Sequence, residues 1–400
     1  METRVIIPRP MYMDKIRPYI DKSVIKVLVG QRRVGKSYIL ISVAEEIKRQ
    51  NPEANIIEIN LEDFAFSHIH NAQELYNEIT TRLKHDKKNY IFLDEVQEVK
   101  DFDRVVRSLI LDPSNDVYLT GSNSSMLSSE IISRLAGRCI GFHVHPLTYC
   151  EFLLFHSLHD SDGALETYLR YGGLPYLRNL PDKSTWSEYL SGVTDAVVYR
   201  DVVSRHSLRN TDFLGRLLLF FADNIGRIFN AKKIADYLKS QHVSTSVTGV
   251  QTYAEYIVGA YIINRVRRWD IAGKRFFEIG EKYFFEDMGI RNSIIGYRPG
   301  DIGGLMENAV YNHLTAVGYN VKIGVLSQDK EIDFIAEKDN ELRYIQVALT
   351  LDDDKTRERE FGNLERVPDN YEKTVITLRD SAPNTYNGIR LMSLREFLMS

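Results

Sequence analysis

Gly30-Gln31-Arg32-Arg33-Val34-Gly35-Lys36-Ser37 fits the pattern GxxxxGK[ST]. The apolar run over residues 24–29 predicts a buried strand before it, and residues 37–49 predict a helix after it. That context is what a phosphate-cradling loop needs. Gly30 and Gly35 let the backbone bend so that successive N–H groups face phosphate oxygens, and the helix N-terminus adds the positive end of its dipole. Lys36 is placed to bridge the β- and γ-phosphates, and Ser37 to hold Mg²⁺. Gln31, Arg32, Arg33, Val34 and Tyr38 complete the expected cradle. The plain alternative is a glycine turn with a solvated lysine.

Working outward, Tyr90-Ile91-Phe92-Leu93-Asp94-Glu95 is an apolar strand ending in two acids. In an α/β sheet such a tip lies beside the phosphate loop. Asp94 is expected to hold Mg²⁺ through water, and Glu95 to polarise the attacking water as general base. Alone, the pair would be an acidic turn; with the loop, the catalytic reading dominates. Val117-Tyr118-Leu119-Thr120-Gly121-Ser122-Asn123 is a further strand with a polar tip, predicted to run between the first two. Thr120, Ser122 or Asn123 could sense the γ-phosphate, and an ordinary polar turn fits equally well. Phosphoryl transfer also gains from an arginine that neutralises transition-state charge. Arg134 and Arg138 follow the third strand, and we favour Arg138, after Gly137, as a finger acting on a neighbouring subunit. A surface salt bridge would explain either one singly. Arg9 and Tyr12, before the first strand, are candidates to line the base pocket.

The rest of the composition sets bounds. The 400 residues suggest two to three domains. A formal net charge of −4 gives no general attraction for polyanions, so any nucleic-acid contact needs a local basic face. The two cysteines, Cys139 and Cys150, have no metal-ligand spacing and read as thiols in a reducing compartment. No signal-peptide pattern opens the chain, and no apolar run reaches the ~20 residues of a membrane span, so a cytoplasmic protein is expected. His143 and His145 read as packing residues.

Strands alternate with helices to about residue 150: further strands over 55–61, 90–93, 117–120 and 139–144, with helices over 72–84 and 102–111. This implies a parallel sheet covered on both faces. Helical periodicity follows over 149–158, 164–171 and 187–203, interrupted by Gly172-Gly173-Leu174-Pro175. Helices to Leu238 and over 250–257, then a strand over 261–269, give the order of a winged helix. Its second helix is polar rather than basic: Ser244, Thr245, Ser246, Thr248, Gln251 and Tyr253 could touch a nucleic-acid backbone, with Lys232, Lys233 and Lys239 adding charge. A protein-docking module fits equally. Arg265-Val266-Arg267-Arg268 is either a phosphate contact or a solvated strand face. A strand over 282–285, a helix over 306–317 and strands over 320–323, 331–337 and 343–349 suggest a separate α/β domain.

The sequence resembles a prokaryotic family of AAA-type P-loop ATPases with a C-terminal restriction-endonuclease-like domain of the PD-(D/E)xK type. The resemblance is carried by the phosphate loop and by Phe92-Leu93-Asp94-Glu95-Val96-Gln97, Leu119-Thr120-Gly121-Ser122, Leu135-Ala136-Gly137-Arg138 and Pro146-Leu147-Thr148-Tyr149-Cys150-Glu151-Phe152. It continues through Gly172-Gly173-Leu174-Pro175, Asp201-Val202-Val203, Glu307-Asn308, Glu331-Ile332-Asp333-Phe334 and Tyr344-Ile345-Gln346-Val347. It implies an ATPase core over 1–146, a helical lid over 147–212, a winged-helix-like module over 213–275 and a nuclease-like domain over 276–400. It also implies adenine as the base, ATP and Mg²⁺ as ligands, and work on nucleic acid. A working nuclease site of this type needs two acids for metal and a lysine two positions beyond a third. Glu307 and Asp333 fit the first two, but Gln346-Val347-Ala348 stands where Glu-x-Lys should, so a fold without cleavage is expected. The function expected is an ATP-driven machine acting on duplex or branched DNA, in recombination, repair or mobile elements, assembled as a homo-oligomer, a ring being one such form. The alternatives are a nucleotide-controlled signalling or defence switch and, third, an ATP-dependent nuclease.

Overall fold

In a computed structural model, residues 6–400 are described apart from 128, 136, 242, 244, 278–279, 328–329 and 380–383. The chain divides into two compact units, Met1–Val144 and His145–Ser400.

The first unit is built on five parallel strands. α1 (Pro10–Ile16) precedes β1 (Ile25–Val29), α2 (Lys36–Gln50), β2 (Asn55–Asn60), α3 (Ala72–Thr80), β3 (Asn89–Asp94), α4 (Phe102–Leu109), β4 (Asn115–Gly121), α5 (Ser129–Arg134) and β5 (Cys139–His143). The order across the sheet is β2-β3-β4-β1-β5, every pairing parallel. β1, β3 and β4 are buried at every position, which is why they read as largely apolar runs rather than as alternating patterns; the charge inside β1, Lys26, is paired with Asp116 of β4. Because all five strands run the same way, the loops after β1, β3 and β4 meet at one edge.

The second unit opens with α6 (Tyr149–His156), α7 (Asp162–Tyr171) and α8 (Lys183–Val197), the last running on as a π-helical turn, Val198–Ser204. α9 (Thr211–Asp223), α10 (Ala231–Ser240) and α11 (Val247–Gly259) follow, each capped by a side chain at its start: Asn210, Asn230 and Ser246. Four short strands come next, β6 (Ile263–Val266), β7 (Arg268–Asp270), β8 (Arg275–Phe276) and β9 (Lys282–Phe285). α12 (Met288–Ile295), α13 (Ile302–Ala316), β10 (Asn320–Ser327), β11 (Lys330–Lys338), β12 (Glu341–Ala348), α14 (Asp354–Glu365), β13 (Glu372–Thr377), β14 (Thr385–Tyr386), β15 (Ile389–Ser393) and α15 (Leu394–Leu398) complete it. The large sheet has the order β14-β15-β13-β12-β11-β10-β7-β8.

Two expectations are corrected here. The single strand expected over 261–269 is broken at Arg267: β6 pairs antiparallel with β9 in a separate ribbon, while β7 pairs with β10 in the large sheet. Hydrophobic alternation reports that a residue is half-buried, not which neighbour it faces, so one run can serve two sheets. Both pairings also cross position 275/276, so the segments on either side of that expected boundary share their strands. The structure adds α12, α14, β13 and β15, which the sequence reading left unassigned.

The Gly172-Gly173 stretch has a packing cause. The Asp287 carboxylate caps α12, accepting from Ile290 N at 3.0 Å, and also accepts from Gly173 N at 2.7 Å. A Cβ on Gly172, at φ +72°, would lie 2.2 Å from that carboxylate, and one on Gly289 would lie 2.1 Å from the Tyr171 carbonyl oxygen. Only glycine allows this approach. Burial pushes the Asp287 carboxyl up to about 6, against the pull of the backbone N–H groups.

Candidate nucleotide site and a second acidic cluster

The loop after β1 turns on two glycines, Gly30 at φ +149° and Gly35 at φ +96°. A Cβ on Gly30 would fall 2.2 Å from the Val144 carbonyl oxygen. Lys36, the first residue of α2, is buried and donates from Nζ to the carbonyls of Gly30 and Gln31, each at 3.0 Å. The same ammonium lies 3.6 Å from Glu95 Oε1. Gln31 is fully buried, yet neither atom of its side-chain amide has a hydrogen-bond partner among the described residues. Arg32 Nη1 pairs with Glu62 Oε1 at 2.8 Å and lies 4.0 Å from Glu95 Oε2. Arg33 takes a left-handed φ of +72°. The Val34 carbonyl accepts from Arg9 Nη1 at 3.0 Å, and the Arg9 guanidinium lies 4.6 Å from the Tyr12 ring centroid. Tyr38 is half exposed.

Asp94 ends β3, and Glu95 leaves it in the left-handed region at φ 54°. Thr120, at the tip of β4, ties the two acids together: its hydroxyl donates to Asp94 Oδ1 at 2.5 Å and accepts from Glu95 N at 2.8 Å. Burial holds the Asp94 carboxyl above its ordinary range, although hydrogen bonds from Ser37 and Thr120 pull the other way. Glu95 behaves oppositely. Burial would push it up, but the Lys36 charge, a hydrogen bond from Gln97, the Arg32 charge and a hydrogen bond from Ser122 together hold it below the usual range. Two adjacent carboxyls are thus driven in opposite directions, one of them kept ionised. Ser122 and Asn123 are buried on the same strand tip.

The structure therefore brings Lys36, Ser37, Asp94, Glu95, Thr120 and Ser122 to one edge of the sheet. It does not bring Arg134 or Arg138 there. Arg134 ends α5, half exposed, with Nη1 3.9 Å from Asp103 Oδ1. The Arg138 carbonyl accepts from Ile25 N at 2.8 Å, so Arg138 sits at the start of β1. The phosphate loop leaves the other end of that strand, roughly 13 Å away at ~3.3 Å per residue. Gln97 was read only as part of the strand-tip motif and Arg9 only as a border of the base pocket; that Gln97 donates to Glu95 and Arg9 to the Val34 carbonyl required the fold.

The residues present suit a nucleotide with Mg²⁺. The oxygens of Ser37 and Asp94 are hard donors that match magnesium, and the orphaned Gln31 amide offers further hydrogen bonds.

In the second unit, Glu307 on α13, Glu331 and Asp333 on β11, and Glu360 on α14 lie within one another's field. Gln346 on β12 is wholly occupied: its Oε1 accepts from Asp333 N at 2.7 Å, and its Nε2 donates to Glu360 Oε2 at 2.5 Å. Asp333 Oδ2 accepts from Val347 N at 2.8 Å. Burial first, then the Asp333 charge, pushes Glu307 up to about 8, and burial raises Asp333 to about 6. Sequence reasoning missed Lys282 on β9, whose buried ammonium lies 3.3 Å from Glu331 Oε2. Three carboxylates raise its pKa, that of Glu307 most, against the opposing effect of burial. Ser244, expected on the winged-helix face, lies outside the described residues. Among the described residues no helix is long and apolar enough to cross a membrane.

A phosphate loop between β1 and α2, an acidic tip on β3 with β4 between the two strands, and this strand order define a P-loop fold of the AAA type. Comparison with known proteins agrees. Residues 22–153 match the family model of an AAA domain, and residues 162–301 match a domain of unknown function, DUF8612. An uncharacterized protein of Haemophilus influenzae is 31% identical over 99% of this chain and 100% of its own length. An uncharacterized protein of Methanocaldococcus jannaschii is 29% identical over 89% of this chain and 82% of its own. The Walker-type ATPase Paby2304 of Pyrococcus abyssi shares the fold, with a TM-score of 0.52 and 15% identity over 72% of this chain and 96% of that one. The chain belongs to the family of the Haemophilus protein, and its residues 22–153 are an AAA-type domain.

Proposed function

We propose that the chain binds ATP with Mg²⁺ at the β1–α2 loop, hydrolyses it, and couples the cycle to DNA through its second unit. The observation that carries this reading is the meeting of Lys36, Ser37, Asp94 and Glu95 at one sheet edge, with Glu95 held ionised. The loop N–H groups and Lys36 hold the phosphates, Lys36 exchanging its carbonyl partners for phosphate oxygens. Ser37 and Asp94 hold Mg²⁺, which supplies charge neutralisation on the phosphates when bound. Glu95 accepts the proton of the attacking water, and Thr120 fixes the separation of the two acids. Ser122 and Asn123 are placed to report the γ-phosphate, and Arg9 and Tyr12 to border the base. Arg138, exposed and remote from its own loop, supplies the finger to a neighbouring copy, which makes the working form an oligomer; Arg134 is the second candidate.

The DNA reading rests on the second unit. α10, α11 and the β6–β9 ribbon have the order of a winged helix, with Lys232, Lys233 and Lys239 exposed on α10. The succession α13, β10, β11, β12, α14, β13 has the helix and strand order of a nuclease-like core, with Glu307 and Asp333 in its acidic positions and no lysine at Ala348.

The test is ATP turnover with no DNA, with duplex, with single strands and with a four-way junction. Stimulation by one of them, and its loss in Lys36→Ala, is expected. No binding to any of these DNAs even at low salt would sink the DNA reading. ATP-driven assembly without DNA stimulation would put the switch reading in its place.

A further inference from the structure

Buried carboxylates must be met by positive charge. In a cleaving nuclease pocket a divalent cation supplies it, held by carboxylate oxygens with lone pairs to spare. The cluster in the second unit does not suit such an ion. Asp333 Oδ2 is taken by Val347 N. Glu360 is taken by Gln346 Nε2 and by Arg359, whose Nη2 lies 2.5 Å from Glu360 Oε1. Glu331 is ion-paired with Arg268 at 3.0 Å and with Lys282 at 3.3 Å, although its Oε1 makes no hydrogen bond among the described residues. No three carboxylates of this cluster have ligand atoms within 4.8 Å of one another. Glu307 Oε2 has no hydrogen-bond partner among the described residues. A Cβ on Gly226, at φ +70°, would lie only 2.6 Å from it, so the chain closes over the oxygen that an ion would approach.

Lys282 is also held in place. Its strand, β9, pairs with β6 from Lys282 to Phe285. The side chain of Asn308, next to Glu307, closes both hydrogen bonds of the Phe285 backbone, accepting from its N–H at 2.7 Å and donating to its carbonyl at 2.8 Å. The helix that carries Glu307 thus fixes the strand that carries the lysine.

From this we infer that Lys282 is the resident counter-ion of the pocket, an ammonium in place of a divalent cation, so that the native protein excludes Mg²⁺ and Mn²⁺ from Glu307 and Asp333. The inference rests on the nuclease-like reading of the second unit, and it explains how such a pocket keeps its acids without the chemistry.

The test is Mn²⁺ titration of the full-length, nucleotide-free protein, read by electron paramagnetic resonance and by Tm. The native chain should show no uptake that Asp333→Asn removes. Lys282→Met should take up one Mn²⁺ at a concentration at which the native chain takes up none, with a rise in Tm that Asp333→Asn abolishes. If Lys282→Met folds and stays silent, the lysine is not what excludes the ion, and the inference falls. Should that variant fail to fold, Lys282→Arg, which keeps the charge, decides with the native chain: both silent supports the inference, and Mn²⁺ held by either at Asp333 overturns it. Mn²⁺ uptake by the native chain without plasmid nicking sinks only the role of the lysine. Nicking that Asp333→Asn abolishes sinks the non-cleaving reading as well.

Discussion

Each unit of this chain sets a buried lysine among carboxylates, and the two lysines are held in opposite ways. Lys36 rests on carbonyls of its own loop and stands off Glu95 at 3.6 Å. Those partners are neutral dipoles, and a polyanion offering full charges would displace them. Lys282 faces Glu331 at 3.3 Å in the field of Glu307 and Asp333, on a strand pinned from two sides. Removing its ammonium would strand buried negative charge. The difference teaches that a lysine beside acids marks a ligand site only where the lysine is weakly held.

That contrast can be broken in order of effect. Glu95→Gln should keep ATP binding and lose hydrolysis by about 10²–10⁴-fold. Single-turnover kinetics will check this, and a parental rate would reassign the base. Lys282→Met should cost about 3 kcal/mol in denaturant unfolding, the low end for breaking a buried pair, because Glu307 can take up a proton instead. A loss below about 1 kcal/mol would mean the acids never needed the lysine. Thr120→Val removes the hydroxyl between Asp94 and Glu95 and should slow turnover by about tenfold, with a smaller change in nucleotide affinity. The smallest effect is in pH. Glu95, held below the ordinary glutamate value of about 4.3, is ionised throughout the range above it. Acidification removes the base only below that value, so turnover at saturating ATP should differ by no more than about twofold between pH 6 and 8. A titration centred near neutrality would point to another group.

The first site was legible because its chemistry is contiguous. Gly30 to Ser37 is one loop, and Asp94-Glu95 is one strand tip; the parallel sheet brings them together without further information. Thr120 could be narrowed only to a polar tip, since nothing local distinguishes it from Ser122 or Asn123. The second cluster was legible in Glu307 and Asp333 and in the missing lysine at Ala348, but not in Glu331, Glu360 or Lys282. The lysine belongs to a ribbon whose other strand, β6, was read as part of a longer run. Its approach to Glu307 depends on Asn308 and on a pairing that no periodicity encodes. Gln346 was legible as a poor metal ligand; that its amide links Asp333 to Glu360 required the fold.

The Asp287 carboxylate, fastened at once to the turn at 172–173 and to the first turn of α12, sets a rule for anyone recombining this chain with a relative. An alanine at Gly172 would collide with the carboxylate, and relief by trimming the acid would uncap the helix. A crossover placed anywhere between those two segments takes the glycine from one parent and the aspartate from the other, so it is tolerated only where both parents carry the pair; otherwise the hybrid inherits a lock without its key.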